Sequence, residues 1–375
     1  MNILKHDAKR AFLSAFLFVF TLYSLPFTLT PVFAAGAGSS AFDFLRLDVG
    51  AREISMGGAA IAAGEGIYGS AYNPAFLGDI RTNQAGFSYS SWLEGISYQD
   101  FLFGYPASFG SLGLRLQLLG YGKIDGFDAA GARTSDYSAS DILVGLSYAR
   151  HLPKLGLSAG GTFKIAREKI ESAQASAVLA DLGVIYRPRR QDLWGDITFG
   201  LVATNIGPNV KFDRDPEPVP TAIGLGTSMK LLDETLTFAL DVGGPITQGV
   251  GLRLGAEYLI LNILSLRAGY EPSIDEGSGV RGGVGFKIGR AQFDYAFLPA
   301  GELGQTHHAG ITLYFGGPAE KAYNQGMKLL REGKYAEAIL EFNETLKLNP
   351  EYAPVYRRMR QAYSKLQEQQ SSQGK

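Results

Sequence analysis

The feature that most constrains this chain is a period-two alternation returning between about Asn83 and Phe315, in segments of about 8 to 12 residues separated by Gly, Pro, Asn or Asp. In one segment Ile142, Val144, Leu146 and Tyr148 share a face, while Asp141, Leu143, Gly145, Ser147 and Ala149 share the other. The split recurs with Leu157, Phe163 and Ile165 against Ser158, Gly160, Thr162 and Lys164. It recurs again with Leu236, Phe238, Leu240 and Val242 against Thr237, Ala239 and Asp241. Such alternation belongs to strands with two different faces. After the first residues, no apolar stretch approaches the roughly 20 residues that a spanning helix needs. If this chain crosses a membrane, it does so as strands.

A soluble sandwich alternates too, and three further features decide against one. The non-apolar face carries Gly, Ala, Ser, Thr and charges placed mid-strand, where a soluble barrel packs its core. By register these are Arg115, Lys164, Lys230, Arg253, Arg267 and Lys287 against Asp100, Asp141, Asp181, Asp241, Glu257 and Asp294. The signs balance, which predicts paired charges in a crowded lumen. The second feature is closure: a long sheet in lipid must remove its edges, and the segments number about fourteen, an even count. The third is connection length, read as a strict alternation of short and long. Pro106 to Phe109 is short and Gly122 to Tyr137 long; Leu152 to Leu155 is short and Asn205 to Pro220 long. The fold class expected is therefore an all-β transmembrane barrel, with short periplasmic turns, longer extracellular loops and both barrel ends in the periplasm. The last strand closes with Gly310, Leu313 and Phe315, similar to the terminal assembly signal of outer-membrane barrels.

The N-terminus supplies an address. Lys5, Lys9 and Arg10 precede an apolar run from Ala11 to about Leu25, then Val32-Phe33-Ala34. This reads as a signal peptide over 1–34, cleaved after Ala34. Residues 35–82 follow, before the barrel over 83–315. Alternation disappears here and small residues crowd at Gly57-Gly58-Ala59-Ala60 and Ala62-Ala63-Gly64. Small residues let backbones approach closely, so a plug inside the barrel is expected.

Two motifs in this segment carry a resemblance. Gly50-Ala51-Arg52 through Met56-Gly57-Gly58-Ala59, followed by Tyr72-Asn73-Pro74-Ala75-Phe76-Leu77, resembles the opening of the PorV/PorQ family of outer-membrane proteins. That family is related in fold to FadL-type fatty-acid transporters, fourteen-stranded barrels with an N-terminal hatch. The resemblance implies a hatch or gate built on Met56, Gly57, Gly58, Ala59, Asn73, Pro74 and Ala75. It also implies a part in type IX-like secretion or surface attachment, binding exported protein clients. The FadL relationship implies the alternative, a channel for hydrophobic small molecules such as fatty acids.

After Gly316-Gly317-Pro318, read as a linker, the sequence turns helical. Gly326, Tyr335, Ala338, Phe342 and Pro350 fall at spacings that resemble one tetratricopeptide repeat over 319–368, with Tyr356 and Tyr363 opening a second. Residues 369–375 are expected as a disordered tail. A repeat and a half cannot bury a solenoid core, so it should dock on the rim or on a secretion partner in the periplasm. A third reading makes the barrel only a membrane anchor for this repeat.

Enzyme chemistry finds no support. The 375 residues contain no Cys, four His and a net charge of -1, with no phosphate loop or metal-spaced cluster. His307-His308, the best metal candidate, sits where loop polarity alone would place it. No cofactor, no metal and no nucleic acid are expected; the partners expected are outer-membrane lipid, an exported client and, under the channel alternative, a hydrophobic ligand.

Overall fold

The computed structural model describes residues 40–373, apart from 93–94, 129, 189–195, 212–215, 273–277, 300, 302–303 and 351. The expected signal peptide lies outside the described residues. Fourteen antiparallel strands close into one barrel. In chain order these begin with β1 (Asn83–Ser91), β2 (Ser97–Ala107), β3 (Gly110–Gly120), β4 (Ala139–Leu152), β5 (Leu157–Ile170), β6 (Ala173–Tyr186) and β7 (Asp196–Ile206). A two-stranded hairpin, β8 (Val210–Lys211) and β9 (Pro216–Glu217), stands outside the ring. The ring continues with β10 (Ala222–Leu231), β11 (Leu236–Pro245), β12 (Gly251–Ile260), β13 (Leu264–Tyr270), β14 (Val280–Ile288), β15 (Ala291–Pro299) and β16 (Gln305–Phe315). β16 pairs with β1 from Asn83↔Phe315 to Ser91↔His307, so no edge remains there.

The alternation sorts the faces. Phe163, Ile165, Leu182, Leu201 and Leu225 point outward, and Leu182 and Leu225 are each 60% exposed. Dozens of large apolar side chains exposed around one belt would be untenable in water and are the normal outer face in lipid. Inward positions hold Asp100, Asp141, Lys164, Asp181, Asp241, Arg267 and Asp294, all buried.

The expected strict alternation of loop lengths does not hold. One end of the barrel carries both barrel termini and the connections 108–109, 153–156, 187–195, 232–235, 261–263 and 289–290; we call it the turn end. The opposite, loop end carries 121–138 and 207–221, but also the two-residue hairpin 171–172. The cause lies in strand length: β4, β5 and β6 run 14 residues each, so the chain reaches the loop-end height as sheet and turns tightly, with Glu171 left-handed (φ 55).

Inside the barrel runs the segment from Ser40 to Ile80. It descends from the loop end through a 3-10 turn (Asp43–Arg46), helix α1 (Ala51–Ser55), helix α2 (Gly66–Tyr72) and a second 3-10 turn (Pro74–Asp79). Its top is fixed by the Ala41 amide donating to the Pro218 carbonyl at 3.1 Å. Inward-facing glycines of the wall make the fit possible. A Cβ on Gly269 would lie 1.9 Å from the Gly57 amide nitrogen, and one on Gly183 would lie 2.0 Å from Asn73 Oδ1.

At the turn end the chain leaves through Gly316 and Gly317 into three helices: α3 (Pro318–Arg331), α4 (Tyr335–Leu348) and α5 (Ala353–Gln373). Pro318 is the first residue of α3 rather than part of the linker, as suits its fixed φ and missing amide. α5 continues to Gln373, past the boundary expected at residue 368. Phe342 and Ala338 are fully buried, and Gly326 admits the Phe342 ring, which would lie 2.7 Å from an added Cβ. Tyr335 packs on this cluster from its edge, and the Pro350 carbonyl accepts the Tyr356 hydroxyl at 2.8 Å. Glu320 ties the tail back to the barrel, accepting from Arg290 at 3.3 Å and from the Gly316 amide at 2.8 Å.

Candidate functional site

The lumen has two unlike sides. Toward β10–β15 the inner segment meets ions. Arg52 of α1 grips Glu257 of β12 through two contacts, Nε to Oε2 at 3.2 Å and Nη2 to Oε1 at 2.9 Å. Glu257 also accepts from Arg267 at 2.5 Å, and Arg267 reaches Asp294 at 2.7 Å. Asp48 lies between Arg253 at 3.3 Å and Arg281 at 2.5 Å, and Glu271 joins both arginines. Lys230 pairs with Glu65 at 3.4 Å. Asp241 instead accepts a backbone donor, the Ile61 amide at 2.8 Å. Of the lumenal charges singled out from sequence, Lys230, Asp241, Arg253, Glu257 and Arg267 therefore face the inner segment as one set. Arg115 and Lys164 stand across the barrel, paired with Asp100 at 2.9 Å and Asp181 at 2.6 Å.

Within the inner segment two carboxylates feel opposite surroundings. Burial raises the Glu53 carboxyl to about 7, against the pull of Arg52, and its Oε2 has no hydrogen-bond partner. Desolvation acts on Glu65 in the same direction, although its side chain is about half exposed, and Arg52 and Lys230 overcome it and hold that carboxyl down at about 2.

The motif residues occupy close-contact positions. Met56 is 1% exposed and Gly57 and Gly58 are left-handed, with φ of 70 and 71. An added Cβ on Gly57 would lie 2.6 Å from the Leu254 carbonyl oxygen, so the turn and the wall both require glycine there. Ala59 is fully buried beside Met56 and Ala239. Asn73 is fully buried at the β6–β7 seam: its Nδ2 lies 3.0 Å from the Ile61 carbonyl, 3.3 Å from that of Val184 and 3.5 Å from that of Leu201. Its Oδ1 accepts the Ala75 amide at 3.1 Å and so caps the 3-10 turn that Pro74 opens.

Toward β2–β6 the lumen holds, beside the Arg115–Asp100 and Lys164–Asp181 pairs, an apolar cluster that the faces read from sequence did not disclose. Leu102, Leu119, Leu143 and Leu179 point inward with Tyr98, Ala166, Ala175 and Ala177, and Phe42 and Phe44 of the inner segment are buried against them. The signal was present as leucines on the nominally polar face, such as Leu143 between Asp141 and Gly145. Below this cluster, between α2 and β2–β6, remains a cavity of about 20 Å³ bordered by Ile67, Leu102, Leu143 and Lys164. That is room for about one water.

His307 and His308 separate across the wall. His307 faces outward between Tyr295 and Phe297, while His308 is buried and bonded to Ser90 and Thr306. Among the described residues no group of three or more His, Asp or Glu is placed to hold a metal ion.

These features define a class: a fourteen-stranded antiparallel barrel with a buried N-terminal segment against its inner wall. Two solved structures are similar to this chain at low identity. The monoaromatic hydrocarbon channel CymD is 12% identical, with a TM-score of 0.51, over 73% of this chain and 99% of that one. The toluene transporter TodX of Pseudomonas putida is 15% identical, with a TM-score of 0.48, over 70% of this chain and 96% of that one. No family profile and no curated protein matches the sequence.

Proposed function

We propose that this chain is an outer-membrane channel for hydrophobic small molecules, gated by the segment from Ser40 to Ile80 acting as a hatch. The observation that carries the reading is the apolar cluster set into the inner wall of β2–β6 beneath the loop-end mouth. A porin that passes hydrophilic solutes presents a polar lumen; here leucines, alanines and a tyrosine face inward and are covered by a removable piece of chain. The shared architecture with CymD, described as a monoaromatic hydrocarbon channel, supports the same reading. In this orientation the turn end and the helical tail face the periplasm, and the tail acts as a TPR-like docking module.

The test is uptake. Cells lacking the gene should take up a labelled hydrophobic compound more slowly than complemented cells, and equal rates would overturn the channel. The surface-attachment reading implied by the PorV/PorQ resemblance draws on the helical tail. Under it, removing 318–375 would impair anchoring of exported proteins; under the channel reading the same truncation leaves uptake intact.

A further inference from the structure

We infer that the recess against β2–β6 is a binding site for a neutral aromatic ring, filled in this structure by the chain's own Phe42 and Phe44. The inference rests on the channel reading and adds the ligand's class. The strand register places inward residues in rows. Nearest the loop end, one row runs Tyr98, Leu119, Asp141, Glu168, Ala175; the next runs Asp100, Gln117, Leu143, Ala166, Ala177. Ala166, Ala175 and Ala177 stand together on β5 and β6 and leave ring-sized space that the wall does not fill. Phe42 and Phe44 enter there, 1% and 4% exposed, with ring centroids 6.1 Å apart and planes tilted by 44°. Val219 and Val210, from the connection between β7 and β10, pack on the same cluster.

The occupant is held in an uncommon conformation. Phe42 has φ 60 and ψ 36, the left-handed region that bulky residues rarely adopt. Ring burial and the Phe42 amide, which donates to Glu168 Oε2 at 3.1 Å, hold it there. A ligand that supplies an equivalent ring lets this backbone relax.

Charge selects among hydrophobic ligands. Glu168 and Asp141 line the rim, and Asp43 and Glu217 are the charged neighbours of Glu168. Arg46 is paired with Asp43 at 3.7 Å, while the cations below, Arg115 and Lys164, are held by Asp100 and Asp181. A fatty-acid carboxylate would meet the like charge of Glu168, Asp141, Asp43 and Glu217 at the rim, and a neutral arene carries no charge to be repelled.

Binding of labelled naphthalene and of hexadecanoate to the protein in nanodiscs, corrected for empty discs, tests this. Phe42→Ala/Phe44→Ala should tighten naphthalene binding by about tenfold or more, since the competing rings are gone. Ala177→Phe, which fills the recess, should weaken it by a similar factor in a barrel that still shows the heat-dependent gel shift of the folded form. Hexadecanoate should bind less tightly than naphthalene. Unchanged naphthalene affinity in the double variant, or a preference for hexadecanoate, would overturn the assignment. If uptake falls in the deletion strain while the double variant binds like the parent, the recess fails and the channel stands. If uptake is unaffected and binding still tightens, the channel fails and the site stands.

Discussion

Replacing Glu257 with Gln keeps the shape of the wall and removes one charge from the buried ions joining the inner segment to β12–β15. Glu257 accepts from Arg52 at 3.2 and 2.9 Å and from Arg267 at 2.5 Å. After the change Arg267 still has Asp294 at 2.7 Å. Arg52 keeps at most one neutral amide oxygen at position 257, besides the Ala63 carbonyl at 3.0 Å, Glu53 at 3.4 Å and Glu65 at 3.6 Å. Removing one partner of a buried ion pair costs about 3–5 kcal/mol, and these remaining acceptors reduce the loss to roughly 2–3 kcal/mol. That raises the undocked population of the inner segment by roughly 30- to 150-fold. The chain contains no Cys, so a single Met56→Cys gives a clean reporter at a position 1% exposed. When reclosing outpaces labelling, the maleimide rate follows the open population. Glu257→Gln should therefore label tens of times faster than the parent. Equal rates would mean that the ion chain does not hold the segment down.

The same reporter reads pH. Burial raises Glu53 from 4.5 to about 7 in the docked state, so docking favours the protonated acid. Its full stability is present below about 4.5, falls as pH rises toward 7, and is lower by up to about 3 kcal/mol beyond that. Labelling of Met56→Cys, normalised to a Cys at Leu261, which is 85% exposed, should rise from pH 5 to 8, and Glu53→Gln should flatten the slope; an unaltered slope refutes the assignment. In the tail, Phe342→Ala empties the space against Gly326 at a cost of about 3–5 kcal/mol. Proteolysis should then remove the tail while the barrel keeps its heat-dependent gel shift, and a protease-resistant tail would show that Phe342 is not its keystone.

The barrel is legible in the sequence because lipid imposes a rule with period two: outward positions such as Phe163 and Ile165 must be apolar, and the closed sheet leaves no other solution. The paired lumenal charges are legible for a related reason, since balanced signs at inward positions have to meet somewhere. Loop length is less legible. Nothing local in Glu171-Ser172 reveals that β5 and β6 extend to the height at which other strands have already given way to loops. The apolar recess is hidden for a different reason. Alanines such as Ala166 and Ala177 are equally at home facing a plug, a ligand or a wall, and their role emerges only when the register sets them in one row beside Leu143. Asn73 could be picked out as a motif residue, but its bridging of two wall carbonyls depends on the meeting of Val184 and Leu201 across the β6–β7 seam.

The unlike sides of the lumen give the inner segment a direction in which to yield. Toward β10–β15 its contacts are directional: a bidentate Arg52–Glu257 pair, Asp48 held by two arginines, and an Asp241 carboxylate on the Ile61 amide. Such contacts weaken steeply once geometry is lost, so they resist small displacements. Toward β2–β6, by contrast, Phe42 and Phe44 make non-directional apolar contacts that an incoming hydrocarbon can replace nearly one for one. Under the proposed channel function, a ligand entering from the loop end would exchange with Phe42 and Phe44 rather than break the ionic contacts of β10–β15, and would pass Leu143 before reaching the small cavity beside Ile67, where Arg115, Lys164 and Asp181 also line the wall.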